Sequence, residues 1–379
     1  MTLDTLRAEI DEADRALLDA FRKRMETAEK IGRWKRENGK PVLDPQRERE
    51  KLADLAGKLP SELADYGYAL WSLLFAMSRE VQGDRATSPL GQTIRRAMEE
   101  TPALFPQRAV VACQGVEGAY AQLACEKLFP HPQILYFSTF DGVFSAVESG
   151  LCEYGVLPIE NSTAGSVQEV YDGMLRHDFH IVRSARLKVE HHLVAKPGTR
   201  LEDVREVLSH PQALRQCAAY LGELGGGVTL TPCANTAAAA EQVAKSGRTD
   251  VASISSRSCL ALYGLAPLAE GIQDRDNNYT RFLCVSKKLE IYPGADRTSL
   301  RMVLPHRPGS LSQVLTRFAA LGLNLLKLES RPLPQREFEF QFYFDLETPL
   351  YDGRFLRMID GLGRLGEDAR YLGSYSEVI

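Results

Sequence analysis

The 379-residue chain carries 46 Lys and Arg against 50 Asp and Glu, a net charge of −4. That length holds two to three domains at roughly 150 residues each, and the near-neutral balance excludes bulk electrostatic binding to nucleic acid or an anionic membrane, while a local basic site stays open. No apolar run approaches the ~18–20 residues that span a bilayer and residues 1–15 hold no apolar signal core, so a cytoplasmic protein is expected.

Residues 1–83 read as helix. Leu3, Leu6, Ile10, Ala13, Leu17, Phe21, Ala28 and Ile31 recur at three- and four-residue spacing. Thr2 or Asp4 caps the start, and Asn38-Gly39 followed by Pro41 ends the helix. A helix of about 35 residues, ~52 Å long, must pack against something. A second helix is expected from Pro45 to Gly57 and a third from Ser61 to Gln82. Residues 84–106 read as a linker, punctuated by Pro89, Gly91, Pro102 and Pro106, with a short helix at Gln92–Glu100.

Residues 107–287 alternate strand-like runs (Arg108–Cys113, Tyr154–Pro158, Ile181–Leu187, His192–Val194) with helical patterns (Ala119–Leu128, Thr139–Ser149, Val167–Leu175, Gln212–Leu221, Thr236–Ser246). Strand–helix alternation implies an α/β domain, long enough to divide into two lobes around a cleft. Residues 298–379 read strand (Ser299–Leu304), helix (Leu311–Leu321), strand (Asn324–Ser330), strand (Phe338–Leu346), helix (Phe355–Leu362) and strand (Arg370–Tyr375). In the third of these strands Phe residues alternate with Glu339, Gln341, Tyr343 and Asp345, the period of a half-buried strand. The order βαββαβ is the ferredoxin-like unit.

Two patterns are set aside. Gly361-x-Gly363-x-x-Gly366 matches a dinucleotide fingerprint, but it follows a helix and only 13 residues remain beyond it. His191-His192 stand on opposite faces of a strand-like run, which argues against joint metal binding. Seven scattered cysteines without a Cys-x-x-Cys predict buried thiols, not disulfides or zinc. Neither a metal nor a cofactor is expected.

In the first zone, Arg24 and Lys35 are three helical turns apart and share a face, ~16 Å from each other. They can close on one small anion. Arg7 is ~26 Å from Arg24 on the same straight helix and cannot reach that ligand from its own chain. Asp44, Arg47 and Glu48 share a face of the second helix, and Ser78 and Gln82 a face of the third. The bland alternative is a solvated face laced with ion pairs. The run Leu6-Arg7-x-x-Ile10, Arg24, Lys35, Asp44-x-x-Arg47-Glu48-Arg49 and Ser78-x-x-x-Gln82 resembles the all-helical chorismate mutase family over residues 1–83. The resemblance implies an intertwined dimer, or a higher homo-oligomer, in which Arg7 comes from the other chain. It implies that Arg7 and Arg24 hold two carboxylates and that Ser78 assists. Lys35 and Gln82 would meet the ether oxygen, and Glu48, backed by Asp44 and Arg47, the ring hydroxyl.

In the middle zone four turns stand out: Gln114-Gly115-x-x-Gly118-Ala119-Tyr120, Pro158-Ile159-Glu160-Asn161-Ser162-Thr163, Ser209-His210-Pro211-Gln212 with Gln216, and Asn278-Tyr279-Thr280-Arg281-Phe282 before a strand. Singly, each reads as a capped structural turn. Together they resemble prephenate dehydratase over about residues 107–287, which implies a two-lobed fold like periplasmic binding proteins with the site in the cleft. Thr280 would donate to the departing hydroxyl, with Glu160, held neutral, or His210 as alternative acids. Glu160, Asn161, Ser162, Thr163 and Gln216 would bind substrate.

Residues 298–379 resemble an ACT regulatory domain. His306-Arg307-Pro308-Gly309-Ser310-Leu311 turns from strand to helix, and Glu329-Ser330-Arg331-Pro332 ends the second strand. The resemblance implies L-phenylalanine as an allosteric effector held by Gly309, Ser310, Leu311, Asn324, Leu325, Glu329, Ser330 and Arg331. The expectation is a multidomain enzyme of phenylalanine biosynthesis that makes prephenate from chorismate and phenylpyruvate from prephenate. An arogenate-preferring dehydratase and a non-catalytic amino-acid sensor remain open.

Overall fold

The computed structural model describes residues 2–83, 88–333, 339–348, 350, 353–361 and 367–379. They group into two compact units: Met1–Gln92 with Val303–Gly322 and Gly353–Ala369, and Thr93–Met302 with Leu323–Asp352 and Arg370–Ile379. No helix among the described residues is long and apolar enough to cross a membrane.

The first zone is helical: α1 (Leu3–Glu37), α2 (Pro45–Ala56) and α3 (Ser61–Gln82). Thr2 starts α1 through a reciprocal pair with Thr5, and Gly39 at φ +61° turns the chain away from it. α1 buries only Ala28 and Gly32, while Leu3, Ile10, Leu17, Leu18 and Trp34 are each more than half exposed. The expected linker is largely α4 (Pro89–Glu100), where Ile94 and Ala97 are buried. Pro89 opens this helix, where a missing N–H costs nothing.

The α/β region runs β1 (Arg108–Gln114), α5 (Tyr120–Leu128), β2 (His131–Phe137), α6 (Phe140–Glu148), β3 (Tyr154–Asn161), β4 (Gly165–Ser166), α7 (Gln168–Arg176) and β5 (His180–Lys188). It continues with β6 (His192–Ala195), β7 (Glu206–Ser209), α8 (Pro211–Gln216), α9 (Ala218–Glu223), β8 (Thr229–Pro232), α10 (Thr236–Lys245), β9 (Val251–Ser255), α11 (Ser258–Tyr263), β10 (Ala266–Ala269) and β11 (Tyr279–Ser286). The last zone is β12 (Arg297–Val303), α12 (Ser310–Ala320), β13 (Asn324–Pro332), β14 (Phe340–Glu347), α13 (Gly353–Gly361), β15 (Glu367–Tyr375) and β16 (Glu377–Val378).

Three sheets result. The first lobe orders β16-β5-β11-β3-β1-β2, the second β10-β6-β9-β7-β8, and the C-terminal sheet β13-β14-β12-β15. In the first lobe Val111, Cys113, Phe282 and Cys284 face α5, while Ala112, Leu283 and Val285 face the layer of α6 and α7. Both faces are covered, so these strands read as unbroken apolar runs. All seven cysteines are free, and six are buried.

Several expectations change in detail. The helix expected over Gln212–Leu221 breaks at Cys217 into α8 and α9, because Asp274 intervenes: its N–H takes the Gln216 carbonyl (2.7 Å) and its carboxylate accepts from Ala219 N–H (3.1 Å). Thr280 and Arg281 stand inside β11, and Glu160 and Asn161 inside β3, not in turns beside strands. β14 is not open on one face, since Gln341 and Tyr343 are buried and Phe340 is exposed. Tyr343 packs edge-on against Tyr171 of α7 at 5.0 Å between ring centroids, and Tyr343, Leu372 and Tyr375 join the first lobe's core. Phe338, Leu362, Gly363 and Gly366 lie outside the described residues.

Candidate active sites

α1, α2 and α3 enclose a cavity of about 670 Å³. Arg24, Ala28, Ile31 and Lys35 recur on one face of α1 and line it. Arg24 Nη1 donates to the Leu74 carbonyl (2.9 Å) and to Ser78 Oγ, and its guanidinium lies over the Phe75 ring. Lys35 Nζ donates to the Val42 carbonyl at 2.7 Å. Gln82 is buried, and its Oε1 has no partner among the described residues. Gly32 permits this: a Cβ there would lie 2.5 Å from the Gln82 carbonyl oxygen, so only glycine lets α1 and α3 approach so closely.

Asp44 and Arg47 line the same cavity, but neither holds Glu48. Asp44 caps α2 by accepting Arg47 N–H at 3.1 Å. Arg79 holds Glu48, its Nη1 donating to the two carboxylate oxygens at 2.5 and 2.7 Å. Arg79 adjoins Ser78 in sequence and stands one turn from Gln82, the signal that could have revealed it. Arg7 is two-thirds exposed, pairs with Asp4 at 3.4 Å and does not line the cavity.

The second site is a cavity of about 440 Å³ lined by Thr163, Ala164, Gln212, Arg215, Gln216, Gln273, Asp274, Arg275 and Asn278. Behind its wall, β3 and β11 pair with Asn161 opposite Thr280 and Glu160 opposite Arg281. Side chains alternate across a sheet, so the two signatures divide between its faces.

On the cavity side, Asn161 Oδ1 accepts from the backbone N–H groups of Thr163 (3.1 Å) and Ala164 (2.9 Å) and from Thr163 Oγ1 (2.7 Å). Its Nδ2 therefore points the other way and donates to Asn278 Oδ1 (2.8 Å) and Thr280 Oγ1 (3.0 Å). Gln216 Nε2 donates to Thr163 Oγ1 at 2.6 Å. Asn161, Ser162 and Thr280 stand behind the lining and do not form it; Ser162 ties the strand ends together, donating to the Asn277 carbonyl (2.6 Å) and accepting from Tyr279 N–H (2.9 Å). His210 caps α8, its Nδ1 accepting from Gln212 N–H, and burial together with Arg215 lowers its pKa.

On the opposite face, Glu160 departs from expectation. It pairs with Arg281 (2.9 Å) and with Lys327 of β13 (2.5 Å) and does not line the cavity. One carboxylate oxygen of Glu160 is thus engaged by Arg281 and the other by Lys327. Arg281, 7% exposed, also reaches Asp345 (2.6 Å) and Tyr375 Oη (3.0 Å). Burial opposes its charge, yet Tyr375, Asp345 and Glu160 together raise its pKa. Glu329 accepts from Ser166 Oγ (2.6 Å), Arg331 pairs with Asp172 (2.6 Å) and Asn324 donates to Glu347 (3.1 Å); Leu325 and Ser330 lie along the same strand β13. Gly309 (φ +84°) caps α12, whose first residues are Ser310 and Leu311; Ser310 Oγ is buried without a partner among the described residues.

Arg215 and Arg275 were not singled out by the sequence. Both line the cavity, and neither has an ion-pair partner among the described residues. Arg215 adjoins Gln216 in α8, and Arg275 follows Asp274, whose N–H donates to the Gln216 carbonyl.

Residues 6–83 match the type II chorismate mutase family model and residues 111–290 the prephenate dehydratase model. A chloroplastic protein of Arabidopsis thaliana, arogenate dehydratase/prephenate dehydratase 2, is 40% identical over 280 residues, 71% of this chain and 73% of its own. Among solved structures, prephenate dehydratase from Arthrobacter aurescens in complex with L-Phe is 29% identical with a TM-score of 0.65, covering 70% of this chain and 89% of that one. GqqA, described as a novel type of quorum quenching acylase, is 32% identical with a TM-score of 0.64 over 70% of this chain and 97% of its own. The chain belongs to the prephenate dehydratase family and carries a type II chorismate mutase domain ahead of the dehydratase domain. It therefore combines a chorismate mutase domain, an isomerase, with a dehydratase domain, a carbon–oxygen lyase.

Proposed function

We propose that the two sites act in succession, chorismate to prephenate and prephenate to phenylpyruvate, with L-phenylalanine restraining the second step through the C-terminal module. Rearranging chorismate needs no nucleophile or proton donor, only a compact conformer held in place. Arg24 and Arg7 of the partner subunit would fork the two carboxylates, with Ser78 assisting. Lys35 and Gln82 would stabilise charge developing on the ether oxygen, and Glu48, held by Arg79, would accept from the ring hydroxyl. The exposed apolar residues of α1 support a dimer, because one chain leaves them uncovered.

In the second site, the bond to the ring carboxylate breaks and carbon dioxide leaves. Its electron pair enters the ring, and the hydroxyl departs as water after gaining a proton. One observation carries the role of Thr280: Asn161 Nδ2 donates to Thr280 Oγ1, and that hydroxyl's own hydrogen has no acceptor among the described residues. Thr280 is thus left as a donor for the leaving oxygen.

Prephenate is the favoured substrate over arogenate. The two differ only in a ketone against an ammonium group; at the cavity Arg215 and Arg275 have no ion-pair partner among the described residues, while the Asp274 carboxylate beside them is taken up by Ala219 N–H. A further cation about 8 Å from one of them, at an effective dielectric of about 20, costs about 2 kcal/mol. Solvent screening of these exposed guanidiniums reduces this to roughly tenfold in discrimination. The experiment compares kcat/KM for prephenate and arogenate. A ratio of ten or more in favour of prephenate is expected; parity or an arogenate preference overturns the reading. Phenylalanine control is supported by β13, which grips the dehydratase domain through Lys327, Glu329 and Arg331 next to the Glu160-Asn161 signature.

A further inference from the structure

Residue 191 is tied to the cavity wall twice and belongs to none of the roles above. Its backbone N–H donates to Gln273 Oε1 at 3.0 Å, and its Nε2 lies 2.9 Å from Gln216 Oε1. Both glutamines line the dehydratase cavity. We infer that His191 is a specificity-determining positioning residue: it holds both amides with their NH₂ ends toward the ligand, so that the cavity favours a keto acid over an amino acid.

The polarity follows from backbone donors, whose hydrogens are not in question. Thr163 and Ala164 N–H fix Asn161 Oδ1 on their side. Thr163 Oγ1 spends its hydrogen on that oxygen, so the Gln216 atom 2.6 Å from it must be Nε2. Gln216 Oε1 then faces Asn278 Nδ2 (3.2 Å) and His191, and the imidazole must carry its hydrogen on Nε2. Gln216 keeps one N–H with no acceptor among the described residues. Gln273 is oriented in the same sense, since the N–H of residue 191 occupies its oxygen. The wall formed by Arg215, Arg275, Gln216 and Gln273 thereby offers donors, which suit a carboxylate or ketone oxygen better than an ammonium, and Asp274, the carboxylate in the same lining, already accepts from Ala219 N–H.

A plain core histidine explains this less well. His191 is 2% exposed, and its Nδ1 is buried with no partner among the described residues. An unsatisfied buried nitrogen costs stability, so an aliphatic side chain would pack there more cheaply. Burial also lowers the imidazole's pKa, which keeps the neutral form. This inference rests on the dehydratase reading of the cavity, and it deepens that reading.

The experiment uses the full chain with His191→Leu and His191→Gln, each assayed on prephenate and on arogenate. His191→Leu removes one of the donors holding Gln216 Oε1. It should lower kcat/KM for prephenate about five- to tenfold, mainly through KM, while arogenate is unchanged or improved. His191→Gln keeps an N–H donor and should bring the prephenate-to-arogenate ratio back to within about twofold of wild type. The melting temperature and chorismate turnover of both variants should stay near wild type. Equal losses on the two substrates, or an unmoved ratio, overturn the proposal. This change in ratio is read against wild type, so it is independent of which substrate wild type prefers. Nitrogen-15 NMR of histidine-labelled wild type, with the signal assigned through His191→Gln, tests the geometry even if His191→Leu fails to fold. Nε2 protonated with Nδ1 bare is expected at neutral pH, and the opposite tautomer overturns the proposal.

Discussion

Arg7 provides the sharpest test of how the mutase site is assembled. It lies on the same unbroken helix as Arg24, ~26 Å away at 1.5 Å per residue. An arginine side chain cannot cover that distance, so within one chain Arg7 has no part in the cavity. If a second copy supplies it, Arg7→Ala damages its partner's site while Lys35→Ala damages its own. Each variant alone should have chorismate turnover reduced by at least 10²-fold, the usual range for losing a charge at the reacting centre. When the two are unfolded together and refolded in equal amounts, about half the dimers are mixed. In a mixed dimer one site carries both lesions and the other carries neither. About a quarter of wild-type mutase activity should therefore return, measured as loss of chorismate absorbance. Tags of different size on the two chains would confirm that mixed dimers formed. Mixed dimers without any recovery would refute the shared site, and Arg7 would then be a surface residue paired with Asp4.

Lys327→Met removes one of the two cations on Glu160 without touching the cavity wall. The phenylalanine concentration giving half-inhibition of dehydratase should rise at least tenfold; unchanged sensitivity would exclude this strand contact as the route of control. His177 carries a pH prediction. Burial opposes its charge, but hydrogen bonds to Glu148 (2.8 Å) and Asp141 (3.0 Å) outweigh that and raise its pKa. A raised pKa contributes stability that is fully present below the unfolded value of about 6.5 and lost as pH rises through the folded value. His177→Gln should therefore lower the melting temperature more at pH 6 than at pH 9. An equal drop at both would show that the stacked contact of His177 on Phe144, not its charge, is what matters.

The helical zone was the most legible part of the fold because its signals are local. Thr2, Asn38-Gly39, Pro45 and Ser61 each mark an end, and the apolar spacing of α1 marks a face. Legibility stopped where structure is set by distant partners. Glu377 and Val378 add β16 to the first lobe's sheet beside β5, and no pattern in two residues announces a strand. The same strand carries Glu377, buried to 2% at the side chain and paired with Arg186 (2.6 Å) and Arg297 (3.0 Å). For this reason, deleting residues 298–379 would strip a strand and two core tyrosines, Tyr343 and Tyr375, from the dehydratase domain, and substitution is the sound route to testing regulation. The break between α8 and α9 was hidden for a similar reason, since Asp274 lies more than fifty residues beyond it.

The dehydratase signatures show how strand pairing divides a motif between the two faces of a sheet. Read as a string, Glu160-Asn161 and Thr280-Arg281 look like four members of one site. Paired as antiparallel strands, they obey the two-residue period, and each motif sends one side chain to each face. Asn161 and Thr280 share the amide network behind the cavity, while Glu160 and Arg281 meet Lys327, Asp345 and Tyr375 of the C-terminal sheet. Thr280 is thus joined by a single peptide bond to Arg281, which ties β11 to the C-terminal sheet. A change in how β13 and β14 hold Glu160 and Arg281 would bear directly on Asn161 and Thr280, because a strand cannot shift one parity without the other. Coupling of this kind needs only two arrangements of the ion cluster that differ in stability, with phenylalanine favouring one of them.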